Sequence, residues 1–157
     1  MKILAIDPGS EQSAYLIYED QTQQILPDGK GIIPNLDLLT VVSEAKAAGV
    51  RLLAVEMVAC YGMKVGQTIF DTAYWVGRFA QAAGLPFRLV YRMEEKMHLC
   101  RNSRAKDPNI RQALIDRFGP PGTKPKPGRT YGIKRDLWAA LAVAVTAAET
   151  DGVVQQR

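Results

Sequence analysis

The stretch Lys2-Ile3-Leu4-Ala5-Ile6-Asp7-Pro8-Gly9-Ser10 decides how this chain is read. Its apolar run is too short for a buried helix and runs into Asp-Pro-Gly-Ser, a combination that breaks regular structure. Lys2 to Asp7 therefore reads as a buried strand closed by a turn. The strand ends in an acid, which carries a carboxylate to the point where the core meets the surface.

Working outward, Ser13 to Glu19 and Lys30 to Pro34 have the β-branched and aromatic content of strands, and Asp20 to Gly29 between them is polar and turn-rich. Three strands in succession predict an antiparallel meander. Asn35 is positioned to cap a helix running to Gly49, because Leu36, Leu38, Leu39, Val42, Ala45 and Ala48 recur at helical spacing and Gly49 supplies a stop. Arg51 to Glu56 is apolar on both faces, as a central parallel strand is, and it also ends in an acid. Gln67 to Ala83 reads as a helix, Pro86 to Tyr91 as a fifth strand, and Asn109 to Phe118 as a further helix. Residues 119–135 form a basic loop, richest in Pro, Gly, Lys and Arg over Gly122 to Gly132 and read as flexible, before a last apolar helix from Asp136 to Glu149. Trp75 and Trp138 fall among apolar neighbours on these helices and read as core. The order predicts an α/β fold with a mixed five-stranded sheet, three antiparallel strands then two parallel ones, flanked by helices. No repeat or long linker interrupts it, so residues 1–157 are expected to form one domain.

At 157 residues with 47% hydrophobic content, the chain is long enough to bury a core without disulfide or metal staples. Cys60 and Cys100 lack CxxC spacing and read as free thiols. His98, the sole histidine, has no Cys or His at ligand spacing and reads as a surface or partly buried residue. The first apolar run is too short for a signal peptide, and no run of apolar residues is long enough to span a bilayer, so a cytoplasmic location and no membrane partner are expected.

The net charge of +4 is unevenly distributed. Residues 1–91 hold 7 Lys and Arg against 9 Asp and Glu, whereas residues 92–135 hold 12 against 4. A concentrated basic segment on a near-neutral body suits a phosphate-backbone binder, because each neutralised phosphate releases condensed counterions.

Against this cationic segment stand three acids at element ends: Asp7, Glu56 and Asp136, the last opening the final helix. If the first helix is a right-handed crossover, the strands ending in Asp7 and Glu56 are neighbours. Converging carboxylates raise one another's pKa unless a cation neutralises them, and an all-oxygen set suits Mg²⁺ or Mn²⁺ over zinc. Two such ions about 3.5 to 4 Å apart activate a water and stabilise a leaving oxygen, which is the chemistry of phosphodiester hydrolysis. Taken singly, Asp7 before Pro-Gly also fits the start of a turn and Asp136 a helix cap.

Ile6-Asp7-Pro8-Gly9-Ser10, Ala54-Val55-Glu56 and Asp136-Leu137-Trp138-Ala139-Ala140-Leu141-Ala142-Val143-Ala144 together resemble the RuvC-type resolvases, crossover-junction endodeoxyribonucleases, and in particular their bacteriophage-type branch. The resemblance implies an RNase H-like fold, a Mg²⁺-dependent site with Asp7, Glu56 and Asp136 as ligands, and a homodimer that nicks a four-way DNA junction symmetrically. Where that family commonly carries a second acid three residues into the last helix, this chain has Ala139. The resemblance further implies a catalytic pair of lysines, matched in position by Lys96 and Lys106, and a base-stacking wedge for which Tyr61 is the nearest candidate because the expected position is Ala59. Lys64, Arg101, Arg104, Lys124, Lys126, Arg129, Lys134 and Arg135 are the expected DNA contacts. Tyr61, Met63 and the exposed side of helix 67–83 are the expected dimer interface.

Other readings stay open. A flap or fork nuclease of the same fold needs the same residues. The absent acid at Ala139 also keeps a catalytically inactive, structure-specific DNA-binding module in view. An actin-like or sugar-kinase ATP site shares the first Asp-x-Gly turn but requires a duplicated domain and a second Gly-rich loop, which this sequence lacks.

Overall fold

The computed structural model describes every residue except 151, 153, 156 and 157. Among the described residues, six strands form one sheet: β1 (Lys2–Asp7), β2 (Gln12–Glu19), β3 (Gln24–Pro34), β4 (Val50–Met57), β5 (Phe87–Tyr91) and a short β6 (Val154–Gln155), in the spatial order β3-β2-β1-β4-β5-β6. The first three pair antiparallel, and β4 and β5 run parallel to β1. This is the expected five-stranded mixed sheet, extended at one edge by β6, which pairs antiparallel with β5.

The α-helices α1 (Asn35–Glu44), α2 (Gln67–Ala83), α3 (Arg92–Glu95), α4 (Asp107–Phe118) and α5 (Leu137–Glu149) flank the sheet. Strand alternation divides the core in two. Ile3 and Ala5 of β1, Ala14, Leu16 and Tyr18 of β2, and Leu52 and Ala54 of β4 pack with α5 and with Ile110, Leu114 and Phe118 of α4. Leu4, Ile6, Leu53 and Val55 face the other way, onto Leu38 and Val42 of α1 and Val76 and Phe79 of α2. Continuing the same period of two, Asp7 and Glu56 fall on the α5 side. The helix α5, LWAALAVAVTAAE, is buried on nearly every face, and its alanines let it lie close on the sheet.

Several local expectations are corrected. The strand β3 begins at Gln24, so most of the stretch read as a turn is strand: Ile25 pairs with Tyr18 and Gln24 with Glu19 across a register shift. Its Pro27 and Gly29 are tolerated because β3 is an edge strand with one side free of ladder bonds. The helix α1 stops at Glu44, well short of Gly49. Asn35 is not its cap but its first residue, and its side chain turns inward to the β1–β2 turn. After β5 the chain forms α3 and then a π-helical turn, Lys96–Cys100, that the sequence pattern did not suggest.

The basic segment between α4 and α5 contains no helix or strand, yet it is internally bonded: the Gly128 N–H donates to Pro121 O at 2.8 Å, and Thr123 and Lys126 exchange backbone hydrogen bonds. Thr130 is buried and donates to Gly119 O at 3.3 Å. Trp138 is buried and Trp75 half-buried, both cysteines are free, and His98 lies within 2.8 Å of Glu149 near the surface. Among the described residues, no helix is long and apolar enough to cross a membrane.

Candidate active site

The end of β1 is fixed by a small polar network. Beyond Asp7, the Gly9 N–H donates to Ser13 Oγ at 3.1 Å, Ser13 Oγ donates to Asn35 Oδ1 at 2.6 Å, and Asn35 Nδ2 donates to Gly9 O at 2.9 Å. Ser13 and Asn35 are buried, so these bonds are shielded from competing water. Position 9 must be glycine, because a Cβ there would stand 2.3 Å from Gln12 O. Asp7 is thereby held at the lip of the sheet.

Glu56 reaches the same lip one strand away. Ile6 pairs with Val55 in the parallel β1–β4 ladder, so Asp7 and Glu56 follow in register, and their carboxyl groups lie within hydrogen-bonding reach of each other. Asp136 arrives from the other layer, in the last position before α5, on a backbone set by Arg135 at φ 50°. A non-glycine residue in that left-handed region is strained, a condition that recurs where function fixes the chain. The three acids line one open cavity of about 480 Å³, together with Arg92, Lys96 and Asp107. Met57, Val58, Ala59, Tyr61, Ile69 and Ala139 complete its wall.

The electrostatics follow from this crowding. Burial is the main cause that pushes Asp7 up to about 8, with Glu56 and Asp136 adding to it and Arg92 opposing. Burial likewise raises Glu56, and here Arg92 is the principal counterweight. Behind them Glu95, fully buried, is pushed up to about 9 by burial and by the nearby Glu56, with Arg92 opposing. Arg92 Nη1 donates to Glu95 Oε2 at 2.6 Å, and Arg92 Nη2 bonds Asp107. Glu95 Oε1 has no partner. The guanidinium is the internal counter-cation of the acid cluster.

Among the described residues, no three acidic, His or Cys side chains converge into a ready-made ligand set. Mg²⁺ does not require one: it is ordinarily held by one or two carboxylates completed by water and substrate phosphate. The neighbouring pair Asp7 and Glu56, with Asp136 lining the same cavity, is an all-oxygen donor set of that kind, and it fits a hard divalent ion. Such an ion, when bound, supplies an activated water and charge stabilisation at a phosphodiester.

The other residues singled out in the sequence divide by location. Lys96 lines the cavity, delivered by the π-helical turn. Lys106 does not line it; the Lys106 N–H instead meets Asn109 Oδ1 at 2.9 Å at the start of α4. Tyr61 lines the cavity with 64% of its surface exposed and φ 43°. Lys64, Arg101, Arg104, Lys124, Lys126, Arg129, Lys134 and Arg135 are all exposed and lie outside the cavity. Lys134 and Arg135 share a neighbouring depression with Lys30 of β3, and Arg129 lines a groove with the same lysine. Sequence reading overlooked Lys30, Arg92, Glu95 and Asp107. The run Arg92-Met93-Glu94-Glu95-Lys96 directly after a parallel strand was the available signal, since the carboxyl ends of such strands are where sites form.

No family model and no curated protein matches this chain. Among solved structures, the chain is similar to Thermus thermophilus RuvC, with a TM-score of 0.72 and 18% identity over 94% of this chain and 93% of that one. It is likewise similar to T. thermophilus RuvC in complex with Holliday junction substrate, with a TM-score of 0.70 and 18% identity over 94% and 93% of the two chains. Identity at this level speaks to architecture: the chain has the RuvC-type, RNase H-like fold.

Proposed function

We propose that the protein is a metal-dependent endonuclease acting on branched DNA, and that its substrate is the four-way junction, resolved by paired symmetric nicks. The observation that carries this reading is the meeting of Asp7, Glu56 and Asp136 in one cavity at the carboxyl end of the parallel strands, beside a strongly basic segment. The T. thermophilus RuvC solved with Holliday junction substrate supports the choice of DNA, and the sequence motifs favour the bacteriophage-type branch.

In the proposed reaction Asp7, Glu56 and Asp136 hold Mg²⁺, with Mn²⁺ as a substitute, at one or two positions. Lys96, on the cavity wall, stabilises charge that develops on the phosphate. Arg92 keeps the acids compatible with one another before DNA arrives. The exposed cations Lys64, Arg101, Arg104, Lys124, Lys126, Arg129, Lys134 and Arg135 hold the arms by their backbones, and Tyr61, strained and exposed, stacks on a base at the branch point. Two coordinated nicks need two active sites related by a two-fold axis, so a homodimer of single-domain chains follows from the reading. Its surface is Tyr61, Met63 and the outer face of α2, where Phe70 and Tyr74 are 62% and 63% exposed.

One observation favours a second reading. Ala139 lines the cavity where a further acid would sit, as in a module that binds junctions without cutting them. A labelled four-way junction beside linear duplex, with Mg²⁺ or EDTA, separates the two. Paired nicks only on the junction and only with metal establish the resolvase. Cleavage of flaps or forks alone points to a related nuclease of the same fold, and tight binding with no cleavage establishes the binding module.

A further inference from the structure

The cavity receives acidic side chains from β1, from β4 and from the start of α5, but the first turn of α5 presents only the methyl group of Ala139 to it. Asp107, the first residue of α4, also lines it, with 85% of its side chain exposed. Its carboxylate is bonded to Arg92, whose other terminal nitrogen is bonded at 2.6 Å to Glu95, a side chain with 0% exposure.

We propose that Asp107 is the fourth carboxylate of this site, supplying from α4 the charge that Ala139 does not supply from α5, with Arg92 as its positioning residue. The inference rests on the nuclease reading above.

Three features argue for it. Asp107 is 85% exposed, and an ion pair with one partner open to water contributes little to stability, so the fold gains little from holding Asp107 there. The pair is anchored from behind: the buried Glu95 fixes one edge of the guanidinium, and the other edge is therefore presented to Asp107 in one orientation. Finally, Asp107 lines the same cavity as Asp7, Glu56 and Asp136, so its carboxylate opens onto the space they share. The remaining acid nearby, Glu94, is occupied by Arg88 at 3.0 Å and by the Tyr91 N–H at 2.7 Å.

The test is Mn²⁺ binding by titration calorimetry to the full chain, without DNA, for wild type, Asp7→Asn, Asp107→Asn and the double variant Asp107→Asn/Ala139→Asp. Asp107→Asn is expected to fold as wild type, because the side chain is exposed, and to bind Mn²⁺ about tenfold or more weakly. Adding Ala139→Asp is expected to restore most of the affinity from the first turn of α5. Wild-type affinity in Asp107→Asn, or no recovery in the double variant, overturns the assignment of Asp107 while leaving the nuclease reading intact. No Mn²⁺ binding by wild type, or binding undiminished in Asp7→Asn, overturns both.

Discussion

The carboxyl groups of Asp7 and Glu56 lie within hydrogen-bonding reach of each other at the ends of two adjacent parallel strands, beneath the start of α5. Two acids so close cannot both ionise cheaply, and either a divalent ion or a proton relieves them.

When a divalent ion is the relief, neutralising one partner removes activity and leaves the DNA surface intact. Asp7→Asn is expected to lower junction cleavage about 10³-fold or more, the equivalent of several kcal/mol of lost charge stabilisation, while binding stays within a factor of about two. Gel-shift and cleavage assays on one labelled junction read both quantities. Cleavage at the wild-type rate would exclude Asp7 from the chemistry.

When a proton is the relief, metal-free protein should lose stability as pH rises. Asp7 keeps its proton to about 8 in the folded chain, against 3.8 when unfolded, and Glu95 keeps its own to about 9, against 4.5. Unfolding between those limits releases protons, so each such group makes unfolding easier by about 1.4 kcal/mol per pH unit across its window. The Tm measured in EDTA should therefore fall between about pH 5 and pH 9. Asp7→Asn cannot ionise and should become more stable than wild type toward the alkaline end. Parallel Tm curves for the two proteins would contradict this.

Arg88 should prove the most sensitive cation in the fold. It is 2% exposed on β5, donates to the carbonyls of Ala147 at 3.1 Å and Thr150 at 2.7 Å at the end of α5, and holds Glu94 of α3. Arg88→Met keeps the bulk but leaves those carbonyls unsatisfied and is expected to cost about 3 kcal/mol in urea unfolding. Because Glu94 is released beside Arg92, junction cleavage is expected to fall as well.

DNA affinity should decline steeply with salt, and the slope should count the cations involved. Lys30, Lys134 and Arg135 share one depression beside the active-site cavity. Lys30→Gln with Lys134→Gln is expected to reduce the slope of log affinity against log salt by about two, with little change in cleavage at saturating protein. Fluorescence anisotropy over a salt series measures it, and an unchanged slope would exclude the depression from the DNA path.

What the sequence alone determines is governed by local periodicity. The short apolar runs in Lys2 to Asp7 and Arg51 to Glu56 determine two core strands, and the acid closing each follows directly. Once β1 and β4 are parallel neighbours, their common period of two carries Asp7 and Glu56 to one face, while the packing of α5 on that same face, which brings Asp136 there, was decided by the tertiary structure. The basic character of residues 92–135 was equally plain from composition.

Only the tertiary structure decided which of those charges face the cavity. Arg92, Glu95 and Asp107 lie on two helices separated by a π-helical turn, and no repeat in the sequence encodes the angle at which those helices meet. In sequence they dissolve into a cationic run; in the fold, burial of Glu95 fixes Arg92 and Arg92 fixes Asp107. Asn35 shows the same limit at a helix start, where local pattern favours a cap but a buried bond to Ser13 wins, because an unpaired polar group inside the core costs more than an uncapped helix at the surface.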